Sequence, residues 1–377
     1  MTSREPSVRA AAALPTPVHQ PVRPAEEGPV DFDLMVAAFR RAAEQNPAEV
    51  VARHYRLGGG RVVIRCAGTA LSDDIHAPMA HLQLDEAPEV APDLEIEIWD
   101  ERATGVGCQA CVIGPDPEAT GTVSIYGPGR FVLHQSPQAR SVIDRRARRI
   151  VTWIADHERL TQYELGRPLH SDLLLWHRDR GIQAVHAGLV ALGGEGVLFG
   201  GPGGSGKTTT ALTCLRAGMA YLADDYVGLQ LVADSTWLGH SLYSSTHLAP
   251  HHIKRFPDLI PHSRPGRMAR EDKHLVLLER LYPGRFAASA TIRVIALPRV
   301  VDATETRTRP ASKIEVLRQL APSSLFGLPY GSSGRKSFDA MVGLVESVPT
   351  VWLELGRDLE GIPRAVAALI GRKLPES

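Results

Sequence analysis

Gly200-Gly201-Pro202-Gly203-Gly204-Ser205-Gly206-Lys207-Thr208 decides how the second half of this chain is read. The stretch fits G-x-x-x-x-G-K-S/T, with Gly201 and Gly206 as the framing glycines. In such a loop no side chain blocks the backbone N–H groups, which turn inward onto phosphate oxygens. The expected cradle for a nucleoside triphosphate is therefore Gly201, Pro202, Gly203, Gly204, Ser205, Gly206, Lys207, Thr208 and Thr209. Lys207 would reach the β- and γ-phosphates, and the Thr208 hydroxyl would hold Mg²⁺. The flanks agree with this reading. Gly196-Val197-Leu198-Phe199 reads as a buried strand, and residues 209–217 as a helix whose N-terminus adds its positive dipole end to the anion site.

Working outward, residues 184–192 read as a strand and Gly193-Gly194-Glu195-Gly196 as a tight turn. Gly218 stops the helix, and Met219-Ala220-Tyr221-Leu222-Ala223-Asp224-Asp225 is an apolar strand ending in two carboxylates. Many P-loop proteins carry their acidic strand end only after further chain. Here it comes directly after the P-loop helix, which places it at the carboxyl edge of the sheet beside the phosphates. One carboxylate near Mg²⁺ can bind the metal through water, while its neighbour accepts a proton from an attacking hydroxyl. That division suits phosphoryl transfer to an acceptor. Further strands are expected at 227–232, 238–243, 292–297 and 351–355, with helices at 312–320 and 363–374.

Lys plus Arg number 42, as do Asp plus Glu, so no global basic field points to nucleic acid or an anionic membrane. No apolar run approaches a membrane span, and the alanine-rich start near Ala10 is interrupted by Pro15 and Pro17. Four cysteines make no disulfide framework in 377 residues, so a cytoplasmic location is expected. Homo-oligomerisation is left open.

Residues 1–29, rich in proline, alanine and charge, read as a disordered tail. Residues 31–44 read as an amphipathic helix, and 62–133 as short alternating strands between Gly, Pro and Asp turns. A helix is expected over 140–159, with Arg145-Arg146-Ala147-Arg148-Arg149 on its solvated face, and another opening at Pro168. Cys108-Gln109-Ala110-Cys111 lacks the second ligand pair of a zinc site and reads as two cysteines on a strand. His177-Arg178-Asp179 imitates a protein-kinase catalytic loop, but the chain's only asparagine is Asn46, which removes the metal-binding Asn that motif needs downstream. The same fact disfavours a guanine-selecting GTPase. His240, His247, His251, His252, His262 and His274 lack partners at zinc spacing. Lys273 and Arg299 read as solvated or structural rather than as phosphate ligands.

His186-Ala187-Gly188, the turn, residues 201–208 and Leu222-Ala223-Asp224-Asp225 together resemble the HPr kinase/phosphorylase catalytic domain, a fold related to the ATP-dependent phosphoenolpyruvate carboxykinases. Trp99-Asp100, Gly166-Arg167-Pro168, His240-Ser241-Leu242-Tyr243 and Leu297-Pro298-Arg299 extend a weaker likeness to bacterial HPr-kinase-like serine kinases. The resemblance implies Asp224 as general base toward a serine hydroxyl, Asp225 at the metal–phosphate site and His186 near the transferring phosphate. It also implies ATP and Mg²⁺ as cofactors. The long N-terminal half departs from that family, so HPr is not taken as the acceptor.

The expected architecture is an α/β P-loop core of the HPr-kinase/phosphoenolpyruvate-carboxykinase type over residues 166–377, preceded by a β-rich α+β region over 30–165. The expected activity is ATP-dependent transfer to a hydroxyl of a protein, peptide or small molecule, with Asp224, His186 and Lys207 as catalytic residues and Thr208 and Asp225 at the metal. The alternative is a regulatory or scaffolding module that binds ATP without transferring phosphate.

Overall fold

The computed structural model describes residues 30–111, 122–126, 129–266, 273–326 and 334–375, so the tail expected at 1–29 lies outside them. The first half runs α1 (Val30–Gln45), β1 (Val50–Leu57), β2 (Gly60–Ala67), α2 (Thr69–His76), β3 (Leu94–Asp100), α3 (Glu101–Thr104), β4 (Thr122–Tyr126), β5 (Phe131–Gln135), β6 (Ala139–Asp144) and β7 (Arg149–Ile154). Their sheet has the order β1-β2-β3-β7-β6-β5-β4, with β2, β3 and β7 parallel and antiparallel pairs to either side. The apolar stripe of α1 (Phe32, Met35, Val36, Phe39) covers one face, over Trp99 and Trp153.

The helix expected over 140–159 is a hairpin instead. Val142-Ile143 and Ile150-Val151 are short apolar runs buried on both faces, which at this length cannot be told from helix by periodicity. The turn signal is Asp144, whose Oδ1 accepts from the N–H groups of Arg146 (3.0 Å) and Ala147 (3.1 Å). The basic run is therefore a turn, with Arg145 paired to Asp179 and Arg149 to Glu97. The C-x-x-C pair is corrected too. Cys108 and Cys111 lie on a turn after α3, not on a strand, and residues 112–121 lie outside those described.

The second half begins with α4 (Gln162–Gly166) and α5 (His170–Asp179). Pro168 stands before α5 rather than in its first turn, because Leu169 takes a left-handed φ of 55°. There follow β8 (Gln183–His186), β9 (Gly188–Leu192), β10 (Glu195–Phe199), α6 (Lys207–Arg216), β11 (Ala220–Ala223), β12 (Tyr226–Ala233) and β13 (Thr236–His240). Next come β14 (Ser245–Leu248), α7 (Pro250–Ile253), β15 (Ser263–Arg264), β16 (His274–Leu277) and β17 (Ser289–Val300). The chain closes with β18 (Arg307–Pro310), α8 (Lys313–Phe326), α9 (Gly334–Ser347), β19 (Thr350–Leu355) and α10 (Gly361–Leu369).

A nine-stranded sheet has the order β11-β9-β10-β17-β13-β12-β8, with β19 and β18 continuing from the far end of β17. The run 184–192 is thus two strands rather than one, parting at Ala187. Yet β8 leads straight into β9, and β11 reaches β12 through Asp224-Asp225 alone. The antiparallel register is the same on both sides of the break, with Tyr226 opposite His186 and Ala223 opposite Leu189. The sheet therefore curls until its ends meet, and Asp224-Asp225 lies at that seam beside Ala187-Gly188. Gly193 and Gly194, at φ 62° and 79°, make the two-residue turn joining β9 to β10. A small third sheet, β14-β16-β15, lies nearby.

The two halves share one apolar cluster. Ile96, Ile98 and Ile150 of the first sheet pack with Leu165 and Leu174 of the linking helices and with Leu242, Tyr243 and Leu275 of the second half. The chain is a mixed α/β protein whose larger sheets each combine parallel and antiparallel pairs. No helix among the described residues is long and apolar enough to cross a membrane.

Candidate functional site

Residues 200–206 link β10 to α6 as the sequence leads one to expect, and three glycines in this loop hold backbone conformations that other residues rarely adopt: Gly201 (φ 143°), Gly204 (81°) and Gly206 (110°). Gly206 caps α6 with no side chain, so the first N–H groups of the helix, which have no intrahelical partner, keep no side-chain acceptor. A Cβ on Gly206 would collide with Leu355 Cδ1, and one on Gly201 would come within 2.9 Å of Ser205 Oγ. The Ser205 hydroxyl is buried with no hydrogen-bond partner among the described residues. An orphaned hydroxyl inside a side-chain-free cradle at a helix N-terminus fits a phosphate.

Lys207 is buried and donates to the carbonyls of Gly201 (2.7 Å) and Pro202 (3.1 Å). Burial weakens its hold on its proton, and the charges of Asp225 and Asp224 oppose that. Thr209 shares a 2.7 Å hydrogen bond with His252. Thr208 hydrogen-bonds Asp224, tying the end of the loop to the seam.

Asp224 is 5% exposed, and its backbone is closely approached by Gly188, where a Cβ would lie 3.5 Å from Asp224 Cα. Tyr221 donates to Asp224 Oδ1 (2.9 Å) and Thr246 of β14 to Oδ2 (2.6 Å). Burial, then the neighbouring Asp225, raises its proton affinity above the ordinary aspartate range, while the Thr246, Tyr221 and Thr208 hydrogen bonds pull the other way. Asp225 is the opposite case. Burial would raise it, but the Arg167 guanidinium (Nη1 to Oδ2, 2.5 Å) and His186 (Nε2 to Oδ1, 2.8 Å) hold it well below the carboxylate range.

Arg167 is placed as carefully as the acids it faces. The Gly166 and Pro168 carbonyls on either side accept from Ser245 (2.5 Å) and Tyr243 (2.9 Å). The guanidinium lies over Tyr163 (5.2 Å) and Tyr226 (5.4 Å), and a capping box between Thr161 and Glu164 starts the short α4 that precedes it. Gly166 packs so tightly on His247 and Leu275 that a Cβ would come within 2.8 Å of either.

The structure therefore brings together Lys207, Thr208, Asp224, Asp225 and His186, and adds Arg167, Tyr221 and Thr246, to which sequence reasoning gave no role. Tyr221 lies on β11 three residues before Asp224, a spacing that on a regular strand faces the opposite side and so gave no signal; Thr246 comes from another sheet and left none. Lys273 is exposed yet within electrostatic reach of Lys207, His247 and His252. Arg299 is engaged by Glu354 and lies 4.9 Å over Trp352. The kinase-like His177 is buried on α5, donating to Leu173 O, with Asp179 paired to Arg145. Three more of the histidines find separate partners: His240 with Gln230, His247 with the Gln162 carbonyl, His274 with Ser263. Among the described residues Asp100, Asp156 and His157 do cluster, but each is already engaged, His157 by Asp100, Asp100 also by Ala103 N–H and Asp156 by Arg102.

Fold and site together define a mixed α/β protein in which a glycine-rich strand–loop–helix cradle abuts an acid pair of split proton affinity. A solved structure of the HPr(Ser) kinase/phosphatase from Coxiella burnetii is similar to it at 11% identity and a TM-score of 0.26, over 50% of this chain and 93% of that one, a distant resemblance only. No family model and no curated protein matches the chain.

Proposed function

We propose that this protein is an ATP-dependent phosphotransferase that uses Mg²⁺ and moves the γ-phosphate to a serine or similar hydroxyl of a protein, peptide or small molecule. One observation carries the reading: adjacent carboxylates beside a phosphate cradle have opposite surroundings, Asp224 held by the neutral hydroxyls of Tyr221 and Thr246 and Asp225 by the Arg167 guanidinium and His186. Carboxyl groups whose environments separate their proton affinities are how one site assigns a base and a permanent charge.

In this mechanism residues 201–209 bind the phosphate chain, and Lys207 exchanges its loop carbonyls for phosphate oxygens. The Thr208 hydroxyl and the Asp225 carboxylate, 36% exposed, are the hard oxygen donors that would hold Mg²⁺. The bound ion supplies charge neutralisation along the phosphates. Tyr221, Thr246 and Thr208 fix the direction of Asp224, which takes the proton from the attacking hydroxyl. His186 and Arg167 hold Asp225 in place, and the Arg167 guanidinium adds positive charge at the transfer point.

One feature favours a second reading, an ATP-binding module without transfer: both Asp225 oxygens are occupied by Arg167 and His186. The readings part in one experiment. Wild type and Asp224→Asn are incubated with γ-labelled ATP, Mg²⁺ and a host lysate, and label is sought in protein, peptide and metabolite fractions. Transfer by wild type alone supports the phosphotransferase; ATP binding by both proteins with no labelled acceptor selects the binding module.

A further inference from the structure

The geometry points to Cys108 and Cys111 as a dithiol that closes to a reversible disulfide by exchange with small disulfides of the glutathione class. Gln109 and Ala110 form a turn in which the Cys111 N–H donates to the Cys108 carbonyl at 2.9 Å. A turn closed this way keeps its first and fourth Cα atoms within about 7 Å, which overlaps the span of about 4.4–6.8 Å that a disulfide bridges. The two side chains already hydrogen-bond each other.

The approach to the turn is pinned. Trp99 Nε1 donates to the Val106 carbonyl (2.9 Å), the Thr104 hydroxyl donates to the Asp100 carbonyl (2.6 Å), and Gly107 lies against the Glu101 carboxylate. Cys108 is buried in the cluster of Phe32, Val106 and Trp153, while Cys111 is half-buried at its edge. Cys66 and Cys214 differ in kind. Each is fully buried and far from other cysteines in sequence, and burial pushes the Cys66 thiol up to about 12 and Cys214 higher still. At Cys108 the hydrogen bond from Cys111 outweighs burial and, with the Ala110 N–H, Arg140 and Arg41, brings the thiol down to about 6. The pair thus shares a thiolate near neutral pH, the reactive form.

The exchange balances without any other reagent. Cys111 sulfur, its proton passed to Cys108 along their shared hydrogen bond, attacks one sulfur of the small disulfide, forming a mixed disulfide and expelling one thiolate. Cys108 sulfur then attacks Cys111 sulfur, closing the internal bridge and expelling the second thiolate. The dithiol loses two electrons and the small disulfide gains them; the one proton the pair holds ends on one released thiol, and the other thiol takes its proton from water.

The full chain is equilibrated in graded mixtures of reduced and oxidised glutathione, quenched by alkylation and digested. Two thiols should disappear together with one midpoint, the Cys108 and Cys111 peptides should be cross-linked, and excess reduced glutathione should restore both. Cys108→Ser should instead trap glutathione on Cys111, and Cys66 and Cys214 should stay reduced. Full alkylation of Cys108 and Cys111 across the whole series overturns the proposal, as does a stable glutathione adduct on the wild-type chain. Metal analysis of the protein as purified is the second readout: thiols blocked by stoichiometric zinc would make the pair a metal site and overturn it too.

Discussion

Thr208 donates a hydrogen bond to Asp224, so the first turn of the P-loop helix and the end of the next strand are fastened to each other across the seam of the curled sheet. This contact places the proposed base beside the residue that would carry the metal, and it sets the separation of the two roles. Replacing Asp224 with Asn keeps the size of the side chain and one acceptor oxygen but removes its basicity. Under the proposed mechanism Asp224→Asn lowers the transfer rate by about 10²–10⁴-fold, the usual contribution of a positioned general base. ATP affinity, measured by calorimetry, stays within a few-fold. A matching loss of affinity would make Asp224 a binding or folding residue instead.

The pH dependence follows from the same carboxyl. A base must be ionised to act, and Asp224 binds its proton more tightly than an ordinary aspartate. The rate therefore falls as pH drops through this raised value, with an acid limb above the normal aspartate range. Tyr221→Phe and Thr246→Val each remove a hydrogen bond that favours the ionised form, so both should move the limb to still higher pH. A rate–pH profile of the three proteins checks the order; limbs that coincide would take Asp224 out of the proton step.

How much of this was legible depends on how local each feature is. The cradle was, because glycines, strand and helix are consecutive, and Gly201, Gly204 and Gly206 answer a backbone need that no neighbour can disguise. The placement of Asp224-Asp225 directly after the helix was legible for the same reason. The break at Ala187 was not: the apolar run from Ala184 to Leu192 continues through it, and only the meeting of the sheet's two ends divides it. The hairpin at Asp144 was hidden by apolar pairs spaced as a helix would space them. Arg167 was invisible as a site residue because its placement depends on Ser245 and Tyr243, more than seventy residues away in sequence.

Gly206 offers a test of the cradle that is independent of any acceptor. Its φ of 110° disfavours every L side chain, and a methyl group there meets Leu355 of β19. Gly206→Ala should cost about 1–3 kcal/mol of stability and reshape the loop around Lys207. Chemical denaturation and ATP binding are both read. Wild-type affinity in a stably folded Gly206→Ala would mean that the nucleotide does not sit in this loop.

Arg167 sets the last expectation, because Asp225 cannot give both oxygens to a cation while Arg167 and His186 hold them. Arg167→Gln removes the charge that competes with a metal and keeps a shorter, neutral hydrogen-bonding group. Divalent cations should then bind the nucleotide-free protein more tightly than they bind wild type, which Mn²⁺ reports directly through its paramagnetic resonance signal. The same change takes a buried cation from between Tyr163 and Tyr226, so transfer should fall even as Mn²⁺ affinity rises. Opposite signs in the two readouts identify Arg167 as a group that both guards Asp225 and supports the chemistry. If Mn²⁺ affinity is unchanged or lower, Asp225 is not the carboxylate at the metal, and the ion must be sought at Thr208 and Asp224 instead.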